Sequence, residues 1–112
     1  MDEKREFVLS VTATMHADAV KMREARLSLF EGELSTVLLG DIAVHTEVLS
    51  VTSADLLIHV QTTQKHTLIY NGREATLPLC EGARFSTSFS FANGEKITVN
   101  ICLLRMCTET SA

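Results

Sequence analysis

The sequence predicts an all-β domain, an antiparallel β-sandwich or small barrel of seven to eight strands. Apolar and polar residues alternate with a period of two along most of the 112-residue chain, which is the pattern of strands that bury one face. Turn-forming residues recur at short intervals and include Asn-Gly pairs at 71–72 and 93–94, a dipeptide typical of hairpins. One Pro and five Gly leave no room for a long flexible linker.

The N-terminal part of the chain contains one clear strand and one ambiguous segment. Between Glu6 and Thr14 the apolar residues fall on one face of a strand: Phe7, Leu9, Val11 and Ala13. Residues 16–26 are rich in good helix formers, whereas residues 24–30 alternate and favour a strand. We favour the strand. The alternative is an α+β domain with one helix near residues 16–26 packed on an antiparallel sheet.

Two apolar segments follow at residues 34–39 and 42–44, and Gly40-Asp41 separates them. A glycine inside such a run predicts a bulge or a bend. Further along, a turn at residues 52–55 joins two short strands. The register of this turn places two apolar pairs on one face: Val51 with Leu56 and Leu49 with Ile58.

The Asn71-Gly72 pair predicts a plain two-residue hairpin loop of type I′, because both positions of that turn need a positive φ. The two strands of this hairpin run from Thr67 to Leu77. Its register gives three cross-strand pairs: Tyr70 with Arg73, Leu68 with Ala75, and His66 with Leu77. That register also gathers apolar residues on one face, so the turn chemistry and the hydrophobic pattern agree.

The Asn93-Gly94 pair predicts a different kind of hairpin. A two-residue loop would put the apolar residues of one strand on the serine-rich face of the other. A three-residue loop at 92–94, with Gly94 in the left-handed position of a G1 bulge, shifts the register by one residue. The shifted register forms three core pairs: Phe89 with Ile97, Thr87 with Val99, and Phe85 with Ile101.

The last predicted strand, residues 96–106, is apolar on both faces in its C-terminal half, because residues 101–104 are all apolar. Residues 37–39 and 56–58 are also consecutive apolar residues. One face of each strand in a two-layer sandwich meets water, so these segments predict a surface that another subunit covers. The last strand is accordingly predicted to be central in its sheet or covered by a partner.

Composition restricts the class of protein further. The net charge is −4, and the stretch from Glu31 to Gln61 contains no Lys or Arg, so the clustered positive charge of a nucleic-acid binder is missing. No apolar run approaches the length of a membrane-spanning helix. Three cysteines cannot form a complete set of disulfides, which fits a reducing compartment. We expect a cytoplasmic single domain over residues 1–112, with flexible tails at 1–6 and 108–112, that binds neither nucleic acid nor membrane.

The residues able to carry chemistry do not form a recognisable site. His59 and His66 fall on adjacent predicted strands, but no carboxylate or cysteine stands at ligand spacing beside them. Cys102 and Cys107 form a single pair, whereas a zinc site needs a second pair of ligands. Burial as small apolar residues is expected for Cys80 and Cys102. The sequence therefore assigns no catalytic, cofactor-binding or metal-binding residue, and no cofactor.

Four acids near predicted strand ends are the remaining candidates for ligand binding: Glu31, Glu33, Asp41 and Asp55. Their spacing matches no Ca²⁺-binding loop, so a solvated acidic rim is the simpler interpretation. The polar residues favour a non-enzymatic role, since an enzyme normally shows a set of acids, bases or metal ligands that form a pocket. The sequence predicts a non-catalytic β-sandwich that acts through protein–protein contact, as a homo-oligomer or an assembly component. The alternative is a module that binds a small ligand, a sugar or Ca²⁺.

Overall fold

The computed structural model describes the backbone of residues 3–16, 21–64, 67–91 and 94–110, and the side chains of residues 5–16, 21–64, 72–91 and 94–106. The described residues form eight strands and no helix, so no helix among them is long and apolar enough to cross a membrane. In chain order the strands are β1 (Glu3–His16), β2 (Lys21–Phe30), β3 (Leu34–Leu39), β4 (Ile42–Val51), β5 (Asp55–Gln64), β6 (Thr67–Pro78), β7 (Arg84–Ser90) and β8 (Lys96–Thr110).

These strands form two four-stranded sheets that pack face to face. Sheet A has the order β2-β1-β8-β7, and sheet B has the order β3-β4-β5-β6. All neighbouring strands are antiparallel. The inner face of each sheet carries alternate residues of its strands, and these residues form the shared core. The predicted all-β class and the antiparallel sandwich are therefore confirmed.

The alternative of a helix near residues 16–26 is wrong. His16 ends β1, and residues 21–30 form β2 at one edge of sheet A. Both leucines of β2 are buried in the core, so the alternating apolar face outweighs the helix propensity of the residues before it. Residues 17–20 lie outside the described part of the chain.

The core is mainly aliphatic and receives side chains from both sheets. Its largest fully buried side chains are Phe7, Leu9, Ile42, Leu56, Ile58, Phe89, Ile97, Ile101 and Leu103. Among the described residues, Thr46 and Thr62 are the polar side chains that are fully buried. Neither hydroxyl has a hydrogen-bond partner among those residues, and a buried hydroxyl in that state lowers stability.

Gly40-Asp41 forms a tight hairpin turn between β3 and β4, so the predicted bulge or bend is wrong. Leu39 pairs directly with Ile42, and both side chains are buried. Gly40 has a φ of 64°, a left-handed conformation that glycine adopts without strain. The apolar run that the sequence shows as one interrupted element therefore folds back on itself.

A bulge at Leu49 in β4 corrects one of the two pairs predicted for the next hairpin. Val51 lies opposite Leu56, as predicted. Opposite Ile58, however, lies Val48 and not Leu49. Val48 and Val51 are three positions apart and both contribute to the core, which a regular strand does not allow because its side chains alternate.

The hairpin predicted at Asn71-Gly72 is wrong, because both residues lie inside β6. Gly72 pairs with Gln61 of β5, and the chain reverses between Gln64 and Thr67 instead. The residues predicted to pair within that hairpin pair with β5: Arg73 with Val60, Ala75 with Ile58, and Leu77 with Leu56. Pairing with a long neighbouring strand replaces the local turn. His66, one of the predicted partners, lies outside the described residues.

The bulged hairpin predicted at Asn93-Gly94 is confirmed. Phe89 lies opposite Ile97, and the pairs of Thr87 with Val99 and of Phe85 with Ile101 continue the same register. Gly94 has a φ of 85°, and its amide donates to the carbonyl of Phe91 at 3.0 Å. The amide of Phe91 in turn donates to the carbonyl of Glu95 at 2.9 Å, which closes a three-residue loop. Residues 92–93 lie outside the described part of the chain.

The last strand is central, as predicted, because β8 lies between β1 and β7 in sheet A. Its pairing with β1 extends to Glu3 and Thr110, inside both segments that the sequence predicts as tails. On the outer face of β8, Cys102 and Leu104 are half-buried.

An inward-facing arginine reaches the opposite sheet at each long edge of the sandwich. Arg23 of β2 donates from Nη1 to the carbonyl oxygen of Leu38 in β3 at 3.0 Å. Arg73 of β6 lies over the ring of Phe89 in β7, with its guanidinium carbon 5.5 Å from the ring centroid. Inward-pointing charges on edge strands oppose pairing with another chain, and these two residues occupy such positions.

Candidate functional site

A cleft opens at one end of the sandwich, where the chain crosses from sheet A to sheet B. It has a volume of about 770 Å³, within the usual range for small-molecule sites. We call it the end cleft, and its lining residues are Arg5, Phe30, Glu31, Glu33, Val51, Thr52 and Ser53. They come from β1, the end of β2, the crossover at residues 31–33, the end of β4 and the turn that follows it.

Backbone hydrogen bonds hold the two carboxylates of the end cleft in place. Oε1 of Glu33 accepts from the amide of Phe30 at 2.8 Å, and Oε2 of Glu31 accepts from the amide of Val51 at 2.9 Å. Glu33 thus closes its own turn, while Glu31 ties the crossover to β4 of the other sheet. One oxygen of each carboxylate accepts a backbone hydrogen bond in this way. The other oxygen has no hydrogen-bond partner among the described residues.

Arg5 supplies the positive charge of the end cleft. It follows the same alternation as Phe7 on β1, so it stands on the core side of the strand where the buried residues end. Among the described residues its side chain makes no hydrogen bond or ion pair. Sequence reasoning missed this residue, although its place in the alternation was a usable signal.

The four acids considered as a possible Ca²⁺ site are not brought together. Glu31 and Glu33 line the end cleft. Asp55 lies nearby, in the turn where the amide of Thr52 donates to the carbonyl of Asp55. Asp41 lies at the opposite end of sheet B, where Oδ2 accepts from Gln64 at 3.5 Å. Within the described part of the chain, no group of three His, Cys, Asp or Glu side chains is placed to hold a metal ion.

His45 joins three strands on the outer face of sheet B. Its Nδ1 forms a 2.8 Å hydrogen bond with the hydroxyl of Thr36 in β3, and its Nε2 forms a 3.0 Å hydrogen bond with the hydroxyl of Thr63 in β5. Hydroxyl groups both donate and accept, so they satisfy the imidazole in either tautomer. His45 therefore has a structural role.

His59 lies on the same face, in a row with Glu47 of β4 and Glu74 of β6. Its ring leans over Gly72, so that a Cβ on that glycine would stand 2.8 Å from Nε2. Neither carboxylate forms an ion pair with the imidazole among the described residues. The predicted pairing of His59 with His66 is not tested, because His66 lies outside those residues.

The described cysteines form no reactive centre with a neighbouring base. Cys80 is exposed and Cys102 is half-buried, and both are free thiols. The expectation of burial is therefore wrong for Cys80, which lies in the turn after β6 rather than in a strand. The thiol of Cys80 donates to the carbonyl of Glu81 at 3.5 Å, and that of Cys102 donates to the carbonyl of Leu103 at 3.9 Å. The side chain of Cys107 lies outside the described residues.

The outer face of sheet A carries a second groove, of about 500 Å³. Thr12, Asn100 and Ser86 lie side by side across three strands at its centre. Such a row offers hydrogen-bond donors and acceptors but neither an acid nor a base.

Exposed apolar side chains mark another surface, at the edge of sheet B. Leu34 and Leu38 on the outer face of β3 are 52% and 56% exposed. They flank Thr36, and Leu38 lies next to half-buried Ala43 of β4. We call these residues, Leu34, Thr36, Leu38 and Ala43, the leucine patch. It carries the apolar surface that the consecutive apolar residues at 37–39 predict.

Comparison with known proteins adds no assignment to these surfaces. The chain matches no protein-family model, no curated protein and no solved structure.

Proposed function

We propose that this β-sandwich is a non-catalytic module that self-associates, with two copies packing through the leucine patch. The observation that carries the proposal is the exposure of Leu34 and Leu38, 52% and 56%, on one strand of a small domain. Covering a leucine side chain contributes roughly 1 kcal/mol for the half that is exposed. A symmetric dimer covers four leucines at once, because each copy contributes the same surface.

The edge of β3 favours packing through the face of the sheet over addition of a strand. The carbonyl of Leu38 points away from β4, since it accepts a hydrogen bond from Arg23. In an antiparallel strand, alternate residues direct their backbone groups to the same side. Arg23 therefore occupies part of the edge that another strand would need, whereas the outer side chains of the leucine patch stay accessible.

A proposed cytoplasmic location accompanies this function. Cys80 is an exposed free thiol, and exposed thiols persist in the reduced form where the thiol pools of the cytosol maintain them. Thiol labelling of the protein in intact cells tests this location, because a disulfide-linked Cys80 would resist the reagent.

Light scattering coupled to size exclusion tests self-association. Covering four leucines contributes about 4 kcal/mol, which corresponds to a dissociation constant of about 1 mM, so we expect the dimer fraction to grow as the protein concentration approaches about 1 mM. We expect a variant with Leu34→Lys and Leu38→Lys to stay a monomer with an unchanged circular dichroism spectrum. Met22→Lys is the matched control, because Met22 is 66% exposed on the other sheet. A monomeric wild-type protein would overturn the proposal, and so would a dimer that the paired lysines leave intact.

A further inference from the structure

We propose that the end cleft binds a small zwitterion, a short peptide or amino acid whose carboxylate contacts Arg5 and whose ammonium group contacts Glu31 and Glu33. This binding site is a proposal separate from self-association, and either proposal can fail without affecting the other. The cleft lies at the end of the sandwich, and none of its lining residues belongs to the leucine patch.

The two carboxylates are positioned before any ligand arrives. The amides of Val51 and Phe30 fix one oxygen each of Glu31 and Glu33, at 2.9 and 2.8 Å. The second oxygen of each side chain is a free acceptor among the described residues. An acceptor that is already held in place loses little conformational entropy on binding, and an ammonium group has three donors to share between two such oxygens.

The positive charge in the same cleft has no ion-pair partner among the described residues. Arg5 lines the cleft together with both glutamates and forms no ion pair with them. Opposite charges that line one cleft without pairing leave room between them for a ligand that carries both charges. A guanidinium group also presents a planar fork of donors that matches a carboxylate.

The remaining lining residues favour a peptide over a sugar or a metal ion. Phe30 and Val51 are half-buried apolar side chains, which suit an apolar residue of the ligand. The hydroxyl of Thr52 is engaged within its own turn, where it accepts from the amide of Asp55 at 2.9 Å. Recognition of the ligand's charged groups thus falls to the three charged residues, and the charge of Arg5 opposes a bare cation.

Ligand analogues that each lack one charge test the inference. The probe is leucylglycine, titrated into the ¹⁵N-labelled full chain while amide chemical shifts are recorded. Arg5, Glu31 and Glu33 are exposed, so each charged contact is weak, and we expect N-acetyl-leucylglycine and leucylglycinamide to bind roughly threefold to fivefold more weakly. Glucose and Ca²⁺ should leave the amides of residues 30–33 and 51–53 unshifted. Equal affinity for leucylglycine and for the two analogues that lack one charge, or saturation by glucose, would overturn the proposal.

Variants locate the site while preserving the fold. Glu31→Gln and Glu33→Gln keep a side-chain oxygen that can accept the same backbone hydrogen bonds. They therefore remove the negative charge and leave those hydrogen bonds in place. They should abolish the preference for the free ammonium group, and Arg5→Gln should abolish the preference for the free carboxylate. Asp41→Asn is the control, because Asp41 is an exposed acid at the opposite end of sheet B. If Asp41→Asn weakens binding as much as the glutamate variants do, binding is nonspecific and the proposal fails. The same titration on the paired-lysine variant separates this result from self-association.

Discussion

The imidazole of His59 occupies the space beside Gly72 that any other side chain at that position would need. A Cβ built on Gly72 would stand 2.8 Å from Nε2 and 3.4 Å from Cε1 of His59. Gly72 does not have a positive φ, so it is not needed for backbone conformation. The neighbouring strand β5 places an imidazole ring over this glycine, a close approach that glycine permits within a strand.

We predict that Gly72→Ala lowers the free energy of unfolding by about 0.5–1.5 kcal/mol, because His59 must leave its position. In a His59→Ala background, the same change should be neutral or stabilising, since alanine loses less entropy than glycine on folding. Urea unfolding of the four proteins in this double-mutant cycle measures the coupling.

The cycle also decides between the two accounts of Asn71-Gly72. A type I′ turn needs a positive φ at the glycine, so in a turn Gly72→Ala would be destabilising whether or not His59 is present. A loss of stability that persists in the His59→Ala background would therefore contradict the strand assignment.

Agreement between turn chemistry and hydrophobic pattern does not by itself decide whether a local hairpin forms. At Asn93-Gly94 the two disagree for a two-residue loop, and resolving that conflict gives the register that the structure shows. At Asn71-Gly72 the two agree for a local hairpin, yet the prediction is wrong. Agreement between local signals does not show that the same residues can pair with β5 instead. That pairing depends on contacts distant in sequence.

The candidate site was less predictable than the fold for a related reason. The sequence places Glu31 and Glu33 in one turn, but the residues that they meet in the cleft come from elsewhere in the chain. Arg5 is brought to them by the pairing of β1 with β2, and Val51 by the bulge in β4. The spacing of residues in the sequence does not predict either contact, because both depend on how the two sheets meet.

The two buried threonines should reduce the stability of the protein. Thr46 and Thr62 are fully buried, and neither hydroxyl has a partner among the described residues. Thr46→Val and Thr62→Val keep the shape and remove the unsatisfied group, so we predict that each raises the free energy of unfolding by about 1 kcal/mol. Urea unfolding measures both, with Thr12→Val on the outer face of sheet A as the control. Destabilisation by either core change would mean that its hydroxyl forms a hydrogen bond after all.

Gly94 gives a prediction opposite in logic to that for Gly72. Its φ of 85° is required by the loop, and nothing lies within 4 Å of the position of its Cβ. Gly94→Ala should therefore destabilise the protein by about 1 kcal/mol through backbone strain alone, and Gly94→Asn should cost less because asparagine tolerates the left-handed region. Thermal unfolding ranks the three proteins. Equal losses for alanine and asparagine would argue against a left-handed residue here.

Arg23 gives a prediction about association through the edge of β3. Its hydrogen bond to Leu38 O occupies a backbone group that another strand would use. We predict that Arg23→Ala increases aggregation on heating, because it exposes an unpaired edge beside two exposed leucines. Arg26→Ala is the matched control, since Arg26 is exposed on the same strand but faces outward. Static light scattering during a thermal ramp measures the difference. If both variants aggregate equally, the loss of charge explains the effect and the hydrogen bond to Leu38 does not protect the edge.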